Sequence, residues 1–164
     1  HLDERFSLDL YLVPTSDGGR YLAQLRQLAA QTPRVTFHDP VAPSDLPNVL
    51  NSYDVGVFWI PPVHTNARLT LPNKFFDYVQ ARLAFAVGPS VEIARLVERF
   101  GIGVVSEGFS VEECARSLES LTSEALRAYK QRSDNAALSL SFDVDRGVGE
   151  GIARRLLDGH PSLV

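Results

Sequence analysis

Five short apolar runs, each separated from the next by a stretch with helical spacing, constrain this chain more than any other feature. The runs are Leu8–Val13 (LDLYLV), Val35–His38 (VTFH), Val55–Ile60 (VGVFWI), Phe85–Val87 (FAV) and Val104–Val105. All are of strand length and rich in β-formers, and Gly, Pro, Asp or Ser lie close to their ends. Between them, Tyr21–Gln31 places Leu22, Leu25, Leu28 and Ala29 on one helical stripe. A short helix through Leu50 starts at Ser44 or Asp45, a longer one covers Asn73–Leu83, and Ser90 caps a helix through Arg99. Ser110–Leu121, Ser123–Ser139 and roughly Arg146–Leu157 then read as helices alone. Strands alternating with amphipathic helices imply a parallel sheet covered on both faces. With right-handed crossovers the expectation is an α/β fold, a Rossmann-like doubly wound parallel sheet, in one domain over 1–164.

Composition narrows the function classes. The chain has 164 residues, is 45% hydrophobic and carries a net charge of −4. A nucleic-acid surface normally needs a basic face, so no nucleic acid is expected. The longest apolar runs fall far short of the ~20 residues that span a bilayer. Cys114 is the single cysteine, which excludes an internal disulfide and suits a reducing, cytoplasmic setting. His1, His38, His64 and His160 show no ligand spacing, so no metal is expected. Neither a Walker-type loop nor GxGxxG is present. The chain begins at His1 and contains no methionine, which reads as a piece of a longer protein.

In an open parallel sheet, ligands bind beyond the carboxyl ends of the strands. That rule selects Thr15–Gly19, Asp39–Val41, Pro61–Pro72, Gly88–Ser90 and Ser106–Phe109. Gly18-Gly19 suits either a tight turn or the approach of backbone to a phosphate. Ser90 suits either an N-cap or an anion site at a helix N-terminus. Pro72 fits the first turn of its helix, and Phe76, Val79 and Leu83 form the stripe expected to face the sheet. Asn73, Lys74 and Asp77 share another face near the mouth of that helix. A carboxylate there can accept two hydroxyl hydrogen bonds, as from a ribose diol, and Lys74 offers a cation to phosphate. The alternative for Lys74 and Asp77 is an exposed i,i+3 ion pair. Phe58 and Trp59 read as core in preference to a sugar platform.

The run PNKFFDYVQARLAFAVGPS (Pro72–Ser90) resembles the donor-binding half of GT-B glycosyltransferases of the retaining, glycogen-synthase-like group. Many of these open the corresponding helix with Pro-Asn-Lys-x-x-Glu-Tyr. VTFHDPVAPSDLPNVLNSYDVGVFWIPP and FGIGVVSEGFSVEECARSLESL are similar to its flanking strand and helix units, and residues 123–157 to its last helices. The resemblance implies the C-terminal half of a GT-B fold and a hexosyltransferase acting in polysaccharide biosynthesis. Its substrate would be a nucleotide-diphospho-sugar, with no separate cofactor. Asp77 would bind the ribose, and Asn73, Lys74 and Ser90 would lie beside the donor. Pro40 and Val41 would meet the base, and Ser16, Gly18 and Gly19 would lie near the diphosphate or base.

The resemblance further implies an N-terminal acceptor domain of the same chain, holding the catalytic residues and any peripheral membrane contact. Two departures are visible. Asp77 stands where the family has Glu, and Leu69 stands where many members carry a second acid. Of the basic residues that usually meet the diphosphate, only Arg5 and His1 could serve. Two other readings are a nucleotide-sugar epimerase on the same fold and a non-enzymatic flavodoxin-like module.

Overall fold

The structure is a computed structural model and describes residues 2–14, 16–63 and 71–157. The sequence expectations for His1, Thr15, His64, His160, Leu69 and most of the 63–72 loop fall outside those residues. The chain is mixed α/β with parallel strands. It divides into two compact units, His1–Leu46 and Pro47–Val164.

The first unit holds β1 (Leu8–Tyr11), α1 (Arg20–Ala29) and β2 (Val35–His38). The strands pair in parallel, with Leu8 opposite Val35 and Tyr11 opposite His38. Arg26 of this helix reaches over Phe37, its guanidinium 5.6 Å from the ring. Leu28 departs from the predicted stripe and is exposed, while Leu22, Leu25 and Ala29 are half-buried. The Arg34 side chain donates to the carbonyls of Leu2, Asp3 and Phe6, tying the N-terminal segment to the head of β2.

From the junction onward come α2 (Leu46–Leu50), β3 (Val55–Phe58), α3 (Asn73–Gln80), β4 (Ala84–Val87), α4 (Val91–Phe100) and β5 (Gly103–Val105). Helices α5 (Val111–Glu119), α6 (Ser123–Ala137) and α7 (Phe142–Leu157) complete the chain. The second sheet is parallel in the order β3-β4-β5. Its central strand β4 is buried at every position, as an unbroken apolar run demands. Phe85 and Val87 join Phe75 and Val79 of α3, Ile93 and Val97 of α4, Ile102 and Ala137 in one core cluster. Both crossover helices therefore pack on the same face of the sheet. Close approach is built into β5: a methyl on Gly103 would sit 2.2 Å from the Phe85 carbonyl oxygen.

Helix α3 differs from its predicted form in two ways. It ends at Gln80, not Leu83, because Arg82 adopts φ 61, a left-handed conformation that closes the helix. The Arg82 guanidinium covers the carbonyls of Val79 and Gln80 and pairs with Asp134 of α6 at 2.6 Å. The buried stripe also falls on Phe75 and Val79, with Phe76 only half-buried. Helix α7 starts a turn earlier than the sequence suggests, and its glycines 147, 149 and 151 lie inside it.

Candidate functional site

In a strand–helix–strand unit with parallel strands, each helix begins at the edge where the preceding strand ends. Helices α3, α4 and α5 all follow strands of the β3-β4-β5 sheet, so their N-termini gather at its carboxyl edge. The positive ends of three helix dipoles share that edge.

Asn73, Lys74 and Asp77 stand on the first turns of α3. Asn73 and Lys74 are exposed and Asp77 is half-buried. The aromatic residues between and beyond them fix the helix. Phe75 is buried, with its ring 5.2 Å from Phe85 and 5.5 Å from Phe76. The Tyr78 hydroxyl donates to the Val57 carbonyl of β3 at 3.2 Å. The Tyr78 ring lies flat in the space a side chain at Gly56 would fill, where a methyl would be 2.3 Å from Cδ2. Burial, and then the neighbouring Asp77 charge, push the Tyr78 hydroxyl up to about 12, so it stays a donor. At the other end, Asn51 donates to the Ala81 carbonyl at 2.9 Å.

Asp77 is thus held on this mount with its carboxylate half-buried. Among the described residues it accepts no hydrogen bond and joins no ion pair. The i,i+3 pair with Lys74 is not formed within ion-pair distance. Desolvation raises the Asp77 carboxyl above its ordinary value, and the Lys74 charge pulls partly against that.

Ser90 precedes α4 and is only 4% exposed. Its side chain makes no capping hydrogen bond, so the predicted hydroxyl cap is not formed. Its amide donates to the Gly88 carbonyl at 2.8 Å. Gly88 is required by packing, because a methyl there would lie 2.2 Å from the Phe109 ring. Glu92, in the first turn of α4, sets a negative charge near the helix's positive end and pairs with Arg95 at 2.6 Å. The N-terminus of α5 is closed by its own capping box, Ser110 with Glu113.

In the first unit, Gly18 and Gly19 adopt φ 73 and 80, the left-handed turn the sequence suggests. The Asp17 carboxylate takes the amides of Gly19 and Tyr21 at 3.0 and 2.9 Å, so this nest already holds an internal anion. Ser16 and Pro40 are exposed and Val41 is half-buried. Arg5 pairs with Asp3 at 3.0 Å.

The sequence reading passed over one donor. Trp59 follows β3 directly, and its buried indole N–H has no acceptor among the described residues. A buried donor left open at the ligand edge of a sheet is the kind of group a ligand can satisfy. The sequence offered Trp59 as core or as a sugar platform, and neither reading concerns its N–H. Among the described residues no cluster of His, Cys, Asp or Glu could hold a metal ion. No helix among them is long and apolar enough to cross a membrane. No protein-family model matches the chain, and neither a curated protein nor a solved structure matches it.

Proposed function

We propose that this chain is the donor-binding domain of a GT-B glycosyltransferase that takes a hexosyl group from a nucleotide-diphospho-sugar. The supporting observation is Asp77: a half-buried carboxylate with no partner among the described residues, on a helix mounted rigidly by Phe75 and Tyr78. A group desolvated without compensation costs stability, and a ligand diol offers that compensation. Two hydroxyls donating to one carboxylate match a ribose, as the resemblance of Pro72–Ser90 implies.

Asp77 would orient the nucleoside, and Lys74 with the helix N-termini would offset the charge that develops on the departing diphosphate. Trp59 would donate its indole N–H to an acceptor oxygen of the nucleotide sugar. On this reading the chain is the doubly wound C-terminal half of a GT-B fold, and acceptor binding and any catalytic acid or base lie in another part of the protein. Isothermal titration with UDP-, GDP- and ADP-glucose tests the reading, with saturable heat expected from at least one. A folded domain that binds none of them overturns it.

A further inference from the structure

The first unit carries a second polar cluster that the donor-binding reading does not use. Asp9 and Tyr11 share one face of β1, and His38 shares that face on β2, because Tyr11 and His38 are partners in the register. The opposite face carries Phe37, whose ring lies under the Arg26 guanidinium of α1. A parallel strand covered on both faces normally reads as a continuous apolar run. Here every residue of the second face is polar or amphipathic: Asp9, Tyr11, Thr36 and His38.

The three side chains are organised. His38 Nε2 lies 2.5 Å from Asp9 Oδ1, and the rings of His38 and Tyr11 stack at 4.6 Å and 13°. An ionised carboxylate only accepts, so Nε2 carries the proton and donates it to Asp9. That fixes the tautomer and leaves the lone pair on Nδ1. Tyr11 blocks one ring face and sets the ring plane. Among the described residues Nδ1 has no partner. The His38 side chain is 35% exposed and that of Asp9 21%, so the ring is reachable while its support is mostly covered.

From this we infer that Asp9, Tyr11 and His38 form a hydrogen-bond-accepting site at the carboxyl end of β2, in which Nδ1 of His38 accepts a hydrogen bond from a hydroxyl-bearing ligand. The Asp9 carboxylate, by accepting from Nε2–H, turns the Nδ1 lone pair toward such a hydroxyl. Asp9 is a positioning residue. The inference does not depend on Asp77 or on nucleotide binding.

Diethylpyrocarbonate probes the lone pair directly. Nδ1 attacks one carbonyl carbon, ethyl carbonate leaves and decays to ethanol and carbon dioxide, and the Nε2 proton passes to solvent. In the intact chain, mass spectrometry should locate ethoxycarbonyl on His38 at a rate several-fold above that of N-acetylhistidine at the same pH. Long-range nitrogen–proton NMR should report the Nε2–H tautomer. Asp9→Asn should bring the rate down to or below that of N-acetylhistidine and mix the tautomers, with circular dichroism unchanged. If that variant fails to fold, the wild-type rate and tautomer decide alone. A wild-type His38 no faster than N-acetylhistidine, an Nδ1–H tautomer, or a rate indifferent to Asp9→Asn would reduce the pair to a tie between two strands and overturn the inference.

Discussion

Gly56→Ala tests whether Tyr78 is what mounts α3 on the sheet. The new methyl would lie 2.3, 2.5 and 2.7 Å from three atoms of the Tyr78 ring. Carbon contacts need about 3.5 Å, so the ring must retreat by roughly 1 Å. Overpacking of this kind costs about 1–3 kcal/mol. Moving the ring also strains the hydroxyl's bond to Val57, which contributes about 0.5–1.5 kcal/mol. Against this stands a gain of about 0.4–1 kcal/mol, because alanine has less freedom than glycine in the unfolded chain. The net expectation is a loss of about 1–3 kcal/mol, or roughly 2–12 °C in Tm for a chain of this size. A double-mutant cycle isolates the cause. In a Tyr78→Leu background the ring is gone, and Gly56→Ala should cost little or become favourable. Urea denaturation of the four proteins measures this. An equal cost in both backgrounds, or no cost in the wild type, would refute the argument that Gly56 exists to admit Tyr78.

Other outcomes follow from the same packing and charges. Phe75→Ala should lose about 3–5 kcal/mol in urea denaturation, because it empties the centre of the core cluster. Arg82→Gly should be more stable than Arg82→Ala by about 1 kcal/mol, since only glycine adopts φ 61 without strain, and thermal melts of the two variants compare them. The Glu113 carboxyl is held below its ordinary value by hydrogen bonds from Ser110, so the stability it contributes is present above its unfolded value and is lost as pH falls through the folded one. Ser110→Ala should reduce that pH dependence, leaving the part due to the Ser110 backbone N–H, and cost about 1 kcal/mol as a lost cap, read by melts across the acid range. Asp77 has the opposite sign: its folded carboxyl titrates above its unfolded value, so its charge weakens the fold as pH rises through that window. Asp77→Asn should therefore melt no lower than wild type at neutral pH while binding donor less well.

Element order and type were legible because the chain is locally consistent. Val35–His38 forms the strand its residues predict, and LAFAV reads as the buried centre of a sheet. Ends were less legible where a single backbone torsion decides them. Nothing in the letters Ala81-Arg82-Leu83 announces that an arginine will take a left-handed conformation, since glycine or asparagine is the usual signal. The buried face of α3 was misassigned by one residue because Phe75 and Phe76 are adjacent and both fit a helical stripe. At the candidate site, spacing put Asn73, Lys74 and Asp77 on the first turns of one helix, but it could not distinguish an ion pair from an acid with no partner among the described residues. That distinction depends on distance and desolvation. The Asp9–His38 pair was invisible for a related reason: its members are 29 positions apart and meet only through the register of β1 with β2.

The most direct test of the account is donor affinity with and without the Asp77 carboxylate. The single tryptophan, Trp59, follows β3 at the same sheet edge and serves as the fluorescence reporter. Each charge-assisted hydroxyl bond contributes about 1.5–3 kcal/mol, reduced here because Asp77 is partly exposed. A total of about 2–4 kcal/mol corresponds to a weakening of roughly 30- to 1,000-fold. The account predicts saturable quenching of Trp59 by one of the nucleotide sugars, and a loss of that size in a folded Asp77→Ala protein. Equal affinity in the two proteins would contradict it.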